Sequence, residues 1–126
     1  MDDDAIPLGA VEDRLGRRFP DDFRAFYSDH GPGPMIMTDE LYVEISPAAD
    51  MIAINELPEI REPFPHLVLF GGDGSREHLA FDYRSDPPRV VMLDLTSTDP
   101  ESIVEQALTF AAFVRLLPSQ GLRFGD

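Results

Sequence analysis

Residues 66–95 read HLVLFGGDGSREHLAFDYRSDPPRVVMLDL, and this stretch decides the fold. It contains three short apolar runs, at 66–70, 78–83 and 90–95. Turn-forming residues connect the runs, with GGDGS after the first run and SDPP after the second. Because such short connections join antiparallel strands, the stretch predicts a three-stranded antiparallel meander.

Two short helices are predicted at the start of the chain. Residues 8–15 carry apolar side chains at helical spacing and are followed by Gly16, which favours a helix end. Residues 20–22 read PDD, which is typical of a first helical turn. We expect this second helix to end at His30-Gly31.

A further strand and a third helix are predicted before the meander. Residues 41–45 alternate between apolar and polar side chains, as in a half-buried strand. The next segment predicts a helix from about 46 to 56. The methionine-containing segment 34–37 and the proline-containing segment 57–66 are both predicted to be loops.

The last predicted element is a long helix near the carboxyl end. Residues 98–101 read TDPE, which has the spacing of a capping box and the proline of a first turn. Pro118 is expected to end the helix. Five apolar residues at helical spacing define its buried face: Ile103, Ala107, Phe110, Val114 and Leu117.

These elements predict a single α+β domain in which a mainly antiparallel sheet is packed with helices. A chain of 126 residues has the usual size of one domain and can bury a core without a metal or disulfide. We expect the acidic residues 1–5 to be a disordered terminus, residues 6–117 to form the domain, and residues 118–126 to be a carboxyl-terminal tail.

The charge of the chain is strongly negative. Acidic residues number 24 against 10 basic ones, which gives a net charge of −14. Nucleic acids and anionic membrane surfaces both attract basic patches, so the composition argues against both kinds of partner. No cysteine, export signal or membrane-spanning apolar run is present, and we expect a cytoplasmic protein of bacterial type.

Several segments, taken in order, resemble a known family. None is specific alone, but together they extend over about residues 6–117. The segments read VEDRLG (11–16), FPDDFRAF (19–26), FGGDG (70–74), AFD (80–82), VVMLD (90–94) and FAAFVRLL (110–117).

This order of motifs resembles the SUKH superfamily, which includes fungal cell-wall synthesis regulators and many bacterial immunity proteins. The resemblance implies an α+β fold, binding to other proteins and no enzymatic activity. Bacterial members are commonly immunity proteins, which bind and neutralise a toxin domain, whereas fungal members act as regulatory hubs.

An acidic segment is the candidate partner-binding surface. It has a net charge of −6 over residues 39–62, because only Arg61 opposes its carboxylates. Such a segment is either a solvated face or a docking surface for a basic partner, such as a toxin nuclease. The candidate residues are Asp39, Glu40, Glu44, Asp50, Glu56, Glu59 and Glu62.

The sequence contains no recognisable catalytic or metal-binding pattern. The three histidines share no ligand spacing, no serine lies in a nucleophile elbow, and the glycines at 71–74 precede no predicted helix. Asp73-Gly74-Ser75 lacks the alternating ligands of a calcium loop. We therefore predict no catalytic residue, no metal and no cofactor.

The sequence leaves three functions in order of preference. The first is a non-enzymatic immunity protein that binds a cognate toxin domain, which we expect to be basic. The second is a regulatory or scaffold protein of the same fold without a toxin partner. The third is an enzyme that uses paired carboxylates in a cleft, which would require carboxyl groups with shifted pKa values in a concave site.

Overall fold

A computed structural model describes residues 6–75, 77–94 and 103–122. These residues form five helices and one six-stranded sheet, which confirms the predicted α+β class. The helices are α1 (Leu8–Leu15), α2 (Asp21–His30), α3 (Ala48–Asn55), α4 (Pro58–Arg61) and α5 (Phe110–Gln120). The strands are β1 (Gly33–Met37), β2 (Tyr42–Ile45), β3 (Leu67–Gly72), β4 (Glu77–Asp82), β5 (Arg89–Asp94) and β6 (Val104–Ala107).

The strands follow one another across the sheet in chain order, and every neighbouring pair is antiparallel. The central meander β3–β4–β5 is the one predicted from residues 66–95. Because successive connections lie at opposite ends of such a sheet, the β1–β2 and β3–β4 turns share one end.

The prediction for the carboxyl-terminal region was wrong in two respects, the start and the end of the last helix. Residues 104–107 form strand β6 beside β5, and α5 begins only at Phe110. Thr109 is its N-cap, because the threonine side chain accepts a hydrogen bond from the backbone N–H of Ala112. Pro118 lies inside α5, which continues to Gln120. The predicted start at 98–101 lies outside the described residues.

Two predicted loops contain regular structure. Residues 33–37 form β1, which is the first strand of the sheet and therefore an edge. Proline is tolerated on an edge strand because the missing N–H is not needed by a neighbour. Within 57–66, Pro58 begins the one-turn helix α4.

The open edge of β1 is partly covered. The ring nitrogens of His30 lie 2.6 Å from the carbonyl oxygen of Gly31 and 2.9 Å from that of Pro34. The ring of His30 also stacks on Phe26. The edge therefore presents a proline without an N–H and a carbonyl that already has a partner.

One face of the sheet carries an aromatic core. The ring of Phe23 on α2 lies 5.0–5.2 Å from the rings of Phe70, Phe81 and Phe110. Phe19 packs 5.0 Å from Phe23 on the other side. Because these rings come from two strands and two helices, this cluster fastens α2 and α5 to the meander.

The other face carries a smaller, mostly aliphatic cluster. Its cover is α4 and the residues that follow it, through the buried side chains of Ile60 and Phe64. The strand residues beneath it are Leu67, Leu69, Ala80, Val91 and Leu93.

The side chain of Asn55 forms the hydrogen bonds that a neighbouring strand would otherwise make with Leu69 of β3. Strand β2 pairs with β3 only at Gly71 and Gly72, so Leu69 has no β2 residue beside it. The side-chain amide of Asn55 donates to the Leu69 carbonyl at 2.9 Å, and its oxygen accepts from the Leu69 N–H at 2.8 Å. Asn55 is 5% exposed, and these bonds satisfy backbone groups that would otherwise be buried without a partner.

Candidate protein-binding site

The structure divides the predicted acidic segment into two groups. Asp39 and Glu40 lie in the exposed turn between β1 and β2, and Glu44 follows on β2. The chain then leaves the sheet, so the other four residues lie on or beside α3 and α4. These four are Asp50, Glu56, Glu59 and Glu62.

A carboxylate from outside the predicted segment joins the first group. Asp73 follows β3 in the β3–β4 turn, which lies at the same end of the sheet as the β1–β2 turn. Asp39, Glu40 and Asp73 line one open concavity of about 310 Å³, together with the ring of Tyr42. We call these three carboxylates the acidic turn surface.

Thr38 fixes the shape of the β1–β2 turn. Its hydroxyl oxygen accepts hydrogen bonds from the backbone N–H groups of Glu40, at 3.2 Å, and Leu41, at 2.9 Å. The Thr38 N–H donates to the Leu41 carbonyl at 2.7 Å. The exposed carboxylates at 39 and 40 therefore project from a turn with a defined backbone.

Asp73 organises the second turn in a similar way. Its carboxylate accepts from the backbone N–H of Ser75 at 2.9 Å and from that of Glu77 at 3.3 Å. Gly74 has a φ of +78°, and a Cβ there would lie 3.0 Å from the ring of Tyr42. The two turns thus pack against each other through Tyr42 and Gly74.

Tyr42 also links the acidic turn surface to Glu44. The tyrosine hydroxyl donates a hydrogen bond of 2.6 Å to the Glu44 carboxylate. This bond, followed by desolvation and the charge of Glu44, raises the pKa of Tyr42 above its usual value. Glu44 is half-buried and engaged in this bond, so it supports the surface from the side.

The second acidic group differs in its surroundings. Glu56 forms an ion pair with Arg14, with a Glu56 carboxylate oxygen 2.8 Å from the Arg14 Nε, which joins the end of α3 to α1. Asp50, Glu59 and Glu62 are exposed, and Glu59 and Glu62 flank Arg61. Positive charge therefore accompanies this group, whereas the acidic turn surface is lined by carboxylates without a cation among the described residues.

Asp82, at the end of β4, is a carboxylate with a shifted pKa. Burial opposes its ionisation, but two hydrogen bonds and the charge of Arg84 outweigh burial and hold the pKa of Asp82 below its usual range. Nearby, His66 has a buried Nε2 without a hydrogen-bond partner among the described residues. An ionised Asp82 in a bidentate ion pair is typical of a structural contact.

The described part of the chain gives two further observations about sites. No group of three or more histidine, aspartate or glutamate residues in it is arranged to hold a metal ion. No helix in it combines the length and the apolar surface that crossing a bilayer requires.

The geometry of the turns also shows why sequence reasoning missed Asp73. The GGDGS segment forms the turn that the sequence predicts, but its residues alone do not indicate that it lies near Asp39. The alternation of strand direction is the signal that could have placed Asp73 near Asp39. Two turns that are separated by two antiparallel strands lie at the same end of a sheet.

Comparison with known families supports the resemblance. The family model described as "SMI1 / KNR4 family (SUKH-1)" matches residues 5–116, nearly the whole chain. The chain belongs to the SMI1/KNR4 (SUKH-1) family. No individual curated protein matches the sequence. In this chain, the motifs at 11–26 and 70–82 fall on α1, α2 and the β3–β4 hairpin, which contribute to the aromatic core and to one half of the acidic turn surface.

Proposed function

We propose that this SUKH-1 chain is an immunity protein, which binds a cognate toxin domain and neutralises it without catalysis. Family membership carries the proposal, because the family comprises immunity and regulatory proteins that act by protein–protein interaction. The placement of the exposed carboxylates supports a proposal for the surface on which the toxin docks.

The acidic turn surface is the proposed contact for a basic toxin domain. Its carboxylates come from two turns that are held together by Tyr42, so their spacing is set before binding. Complementary charges accelerate encounter and orient the partner. A nuclease toxin is basic because it must bind phosphates, and an acidic surface can occupy that phosphate-binding cleft.

The functional test is a growth-rescue assay. The immunity proposal predicts that a neighbouring gene encodes the toxin domain. The chain is co-expressed with that gene product, and we expect growth to be restored and a complex to be co-purified. Failure to rescue growth, with the toxin expressed and active, would overturn the immunity proposal.

Charge reversal tests the docking surface separately. In Asp39→Lys/Glu40→Lys, two exposed carboxylates change sign, and we expect the association rate with the toxin to fall about tenfold at low salt and to lose most of its salt dependence. The matched control is Glu59→Lys/Glu62→Lys, which makes the same charge change at exposed positions beside α4. Equal effects of the two variants would assign the rate to net charge alone.

The alternative is a regulatory or scaffold protein of the same family with no toxin. Fungal relatives of the SUKH superfamily motivate this alternative. It predicts no rescue of any toxin, together with several weaker protein partners in pull-down experiments. The Asp39→Lys/Glu40→Lys variant would then weaken capture of basic partners.

A further inference from the structure

A small pocket lies beside the start of β3, where β2 no longer accompanies it. Its volume is about 180 Å³. Three arginines line it, which is a notable concentration in a chain with a net charge of −14. They are Arg14 from α1, Arg17 from the α1–α2 connection and Arg61 from α4.

Two of these arginines are fixed in position by other contacts. Arg17 donates from Nη2 to the Pro65 carbonyl at 3.2 Å, and its guanidinium lies 4.8 Å from the centre of the Tyr83 ring. Arg14 is held by its ion pair with Glu56. Both guanidinium groups keep further N–H donors, since each has five.

Arg61 contributes a guanidinium that is free to bind. It makes no ion pair or hydrogen bond with any residue in the described ranges, and its side chain is exposed. Its neighbour Ile60 is buried in the aliphatic cluster, which anchors α4 on the sheet. The pocket thus has two fixed cationic groups and one that can close on a ligand.

The remaining walls combine apolar and polar groups. Leu15, Phe64 and Leu67 provide hydrocarbon surface, and Asn55 forms part of the wall. The Asn55 side chain is already fixed by its bonds to Leu69, so this wall is rigid.

We propose that this arginine-lined pocket binds a carboxylate carried on a short apolar stem. A guanidinium fork matches the two oxygens of a carboxylate, and charge-assisted bonds of this kind are among the strongest in proteins. The volume suits a group of the size of a glutamate side chain. This inference does not depend on the toxin proposal, because the pocket and the acidic turn surface are built from different residues.

The surrounding charges favour a carboxylate over a phosphate. Glu56, Glu59 and Glu62 all lie next to the lining residues in the chain or in space. Phosphate would place all of its negative charge inside the pocket, next to these carboxylates, whereas a ligand with a methylene stem places only one carboxylate there. The apolar walls would also remain uncovered by inorganic phosphate, whereas a methylene stem would contact them.

The test is a titration of the ¹⁵N-labelled chain with glutarate at constant ionic strength. We expect a saturable shift of the Asn55 side-chain amide signals, with a dissociation constant on the order of 1 mM for two charge-assisted hydrogen bonds. Arg61→Gln should raise this constant about tenfold. Arg115→Gln, which removes an exposed arginine on α5, should leave it unchanged.

Two further titrations define the ligand. A capped Ala-Glu-Ala peptide that binds more tightly than glutarate would identify an acidic side chain of a protein as the source of the carboxylate, and equal or weaker binding would identify a free small acid. Inorganic phosphate that binds as tightly as glutarate would overturn the carboxylate assignment. Absence of a saturable shift with glutarate, or an equal loss in the Arg115 variant, would overturn the site.

Discussion

The two faces of the sheet are covered in different ways. On one face, four phenylalanine rings from α2, β3, β4 and α5 contact one another around Phe23, which is completely buried. On the other face, the one-turn helix α4 covers aliphatic side chains through Ile60. The aromatic face therefore holds distant parts of the chain together, whereas the aliphatic face is closed by a short local segment.

This difference suggests that the aromatic face stabilises the fold, whereas the aliphatic face carries residues for binding. The aromatic cluster joins α2 and α5 to strands β3 and β4. It therefore stabilises the sheet from which the two turns of the acidic turn surface extend. The short helix α4, which covers the other face, includes Arg61. Arg61 is one of the residues proposed to bind a carboxylate in the arginine-lined pocket. A short segment with few buried groups opens at lower free energy than the core, and such segments commonly carry binding residues.

The largest expected effect comes from emptying the aromatic face. Phe23→Ala removes a ring that contacts several others and leaves a cavity between α2, α5 and the sheet. We expect the free energy of unfolding to fall by about 4 kcal/mol. Urea denaturation followed by circular dichroism measures it.

Ile60→Ala is the matched truncation on the aliphatic face. It should lower the free energy of unfolding by about 2 kcal/mol, because the four-residue helix can settle into the vacated space. If the Ile60 variant lost as much stability as the Phe23 variant, the contrast between the two faces would be wrong.

An intermediate effect is expected at the junction between α3 and β3. Asn55→Ala leaves the N–H and the carbonyl of Leu69 buried without partners, so we expect a loss of about 2–3 kcal/mol in the free energy of unfolding. Asn55→Leu keeps the side-chain volume but not the hydrogen bonds, and it should lose at least as much. A stable Asn55→Leu variant would show that packing, and not strand replacement, is the role of this residue.

The smallest effect is the pH dependence of the free energy of unfolding that His66 causes. Burial first, and then the positive charges of Arg84 and Arg17, lower the pKa of His66 below the usual 6.5, although Asp82 acts in the opposite direction. The unfolded chain therefore binds a proton at a higher pH than the folded chain. The contribution of His66 to stability is complete above about pH 6.5 and is lost as the pH falls below that value.

His66→Gln removes this titration. We expect its stability to change less than that of the parent chain between pH 7 and pH 5, measured by urea denaturation at each pH, with an NMR titration of the His66 ring as a direct check. Parallel stability curves for the two proteins would contradict the assignment to His66.

The elements that were predicted correctly have strong local signals. The β3–β4–β5 meander carries apolar runs and turn residues, and Gly16 and Gly31 mark the ends of α1 and α2 as expected. Residues 103–107 misled the prediction because Ile103, Ala107 and Phe110 also fit helical spacing. The competing signal was Thr109, which caps the true start of α5.

The candidate site was only partly visible in the sequence. Asp39, Glu40 and Glu44 are close in the chain and lie in the same part of the structure. Glu56 instead forms an ion pair with Arg14, because α1 packs on α3. Asp73 joins the surface through sheet topology, which no local pattern encodes. The arginine-lined pocket was also missed, because its three arginines are separated by up to 47 positions in the chain, from Arg14 to Arg61.

The proline and histidine on the edge of β1 have a consequence for the behaviour of many copies together. An exposed edge strand is a template on which further strands can add, and this is how ordered aggregates begin. Pro34 offers no N–H to an incoming strand, and His30 occupies the Pro34 carbonyl. A second copy would also bring its own net charge of −14. Addition of a further strand at β1 is therefore disfavoured by the missing donor, by the engaged carbonyl and by repulsion between two copies.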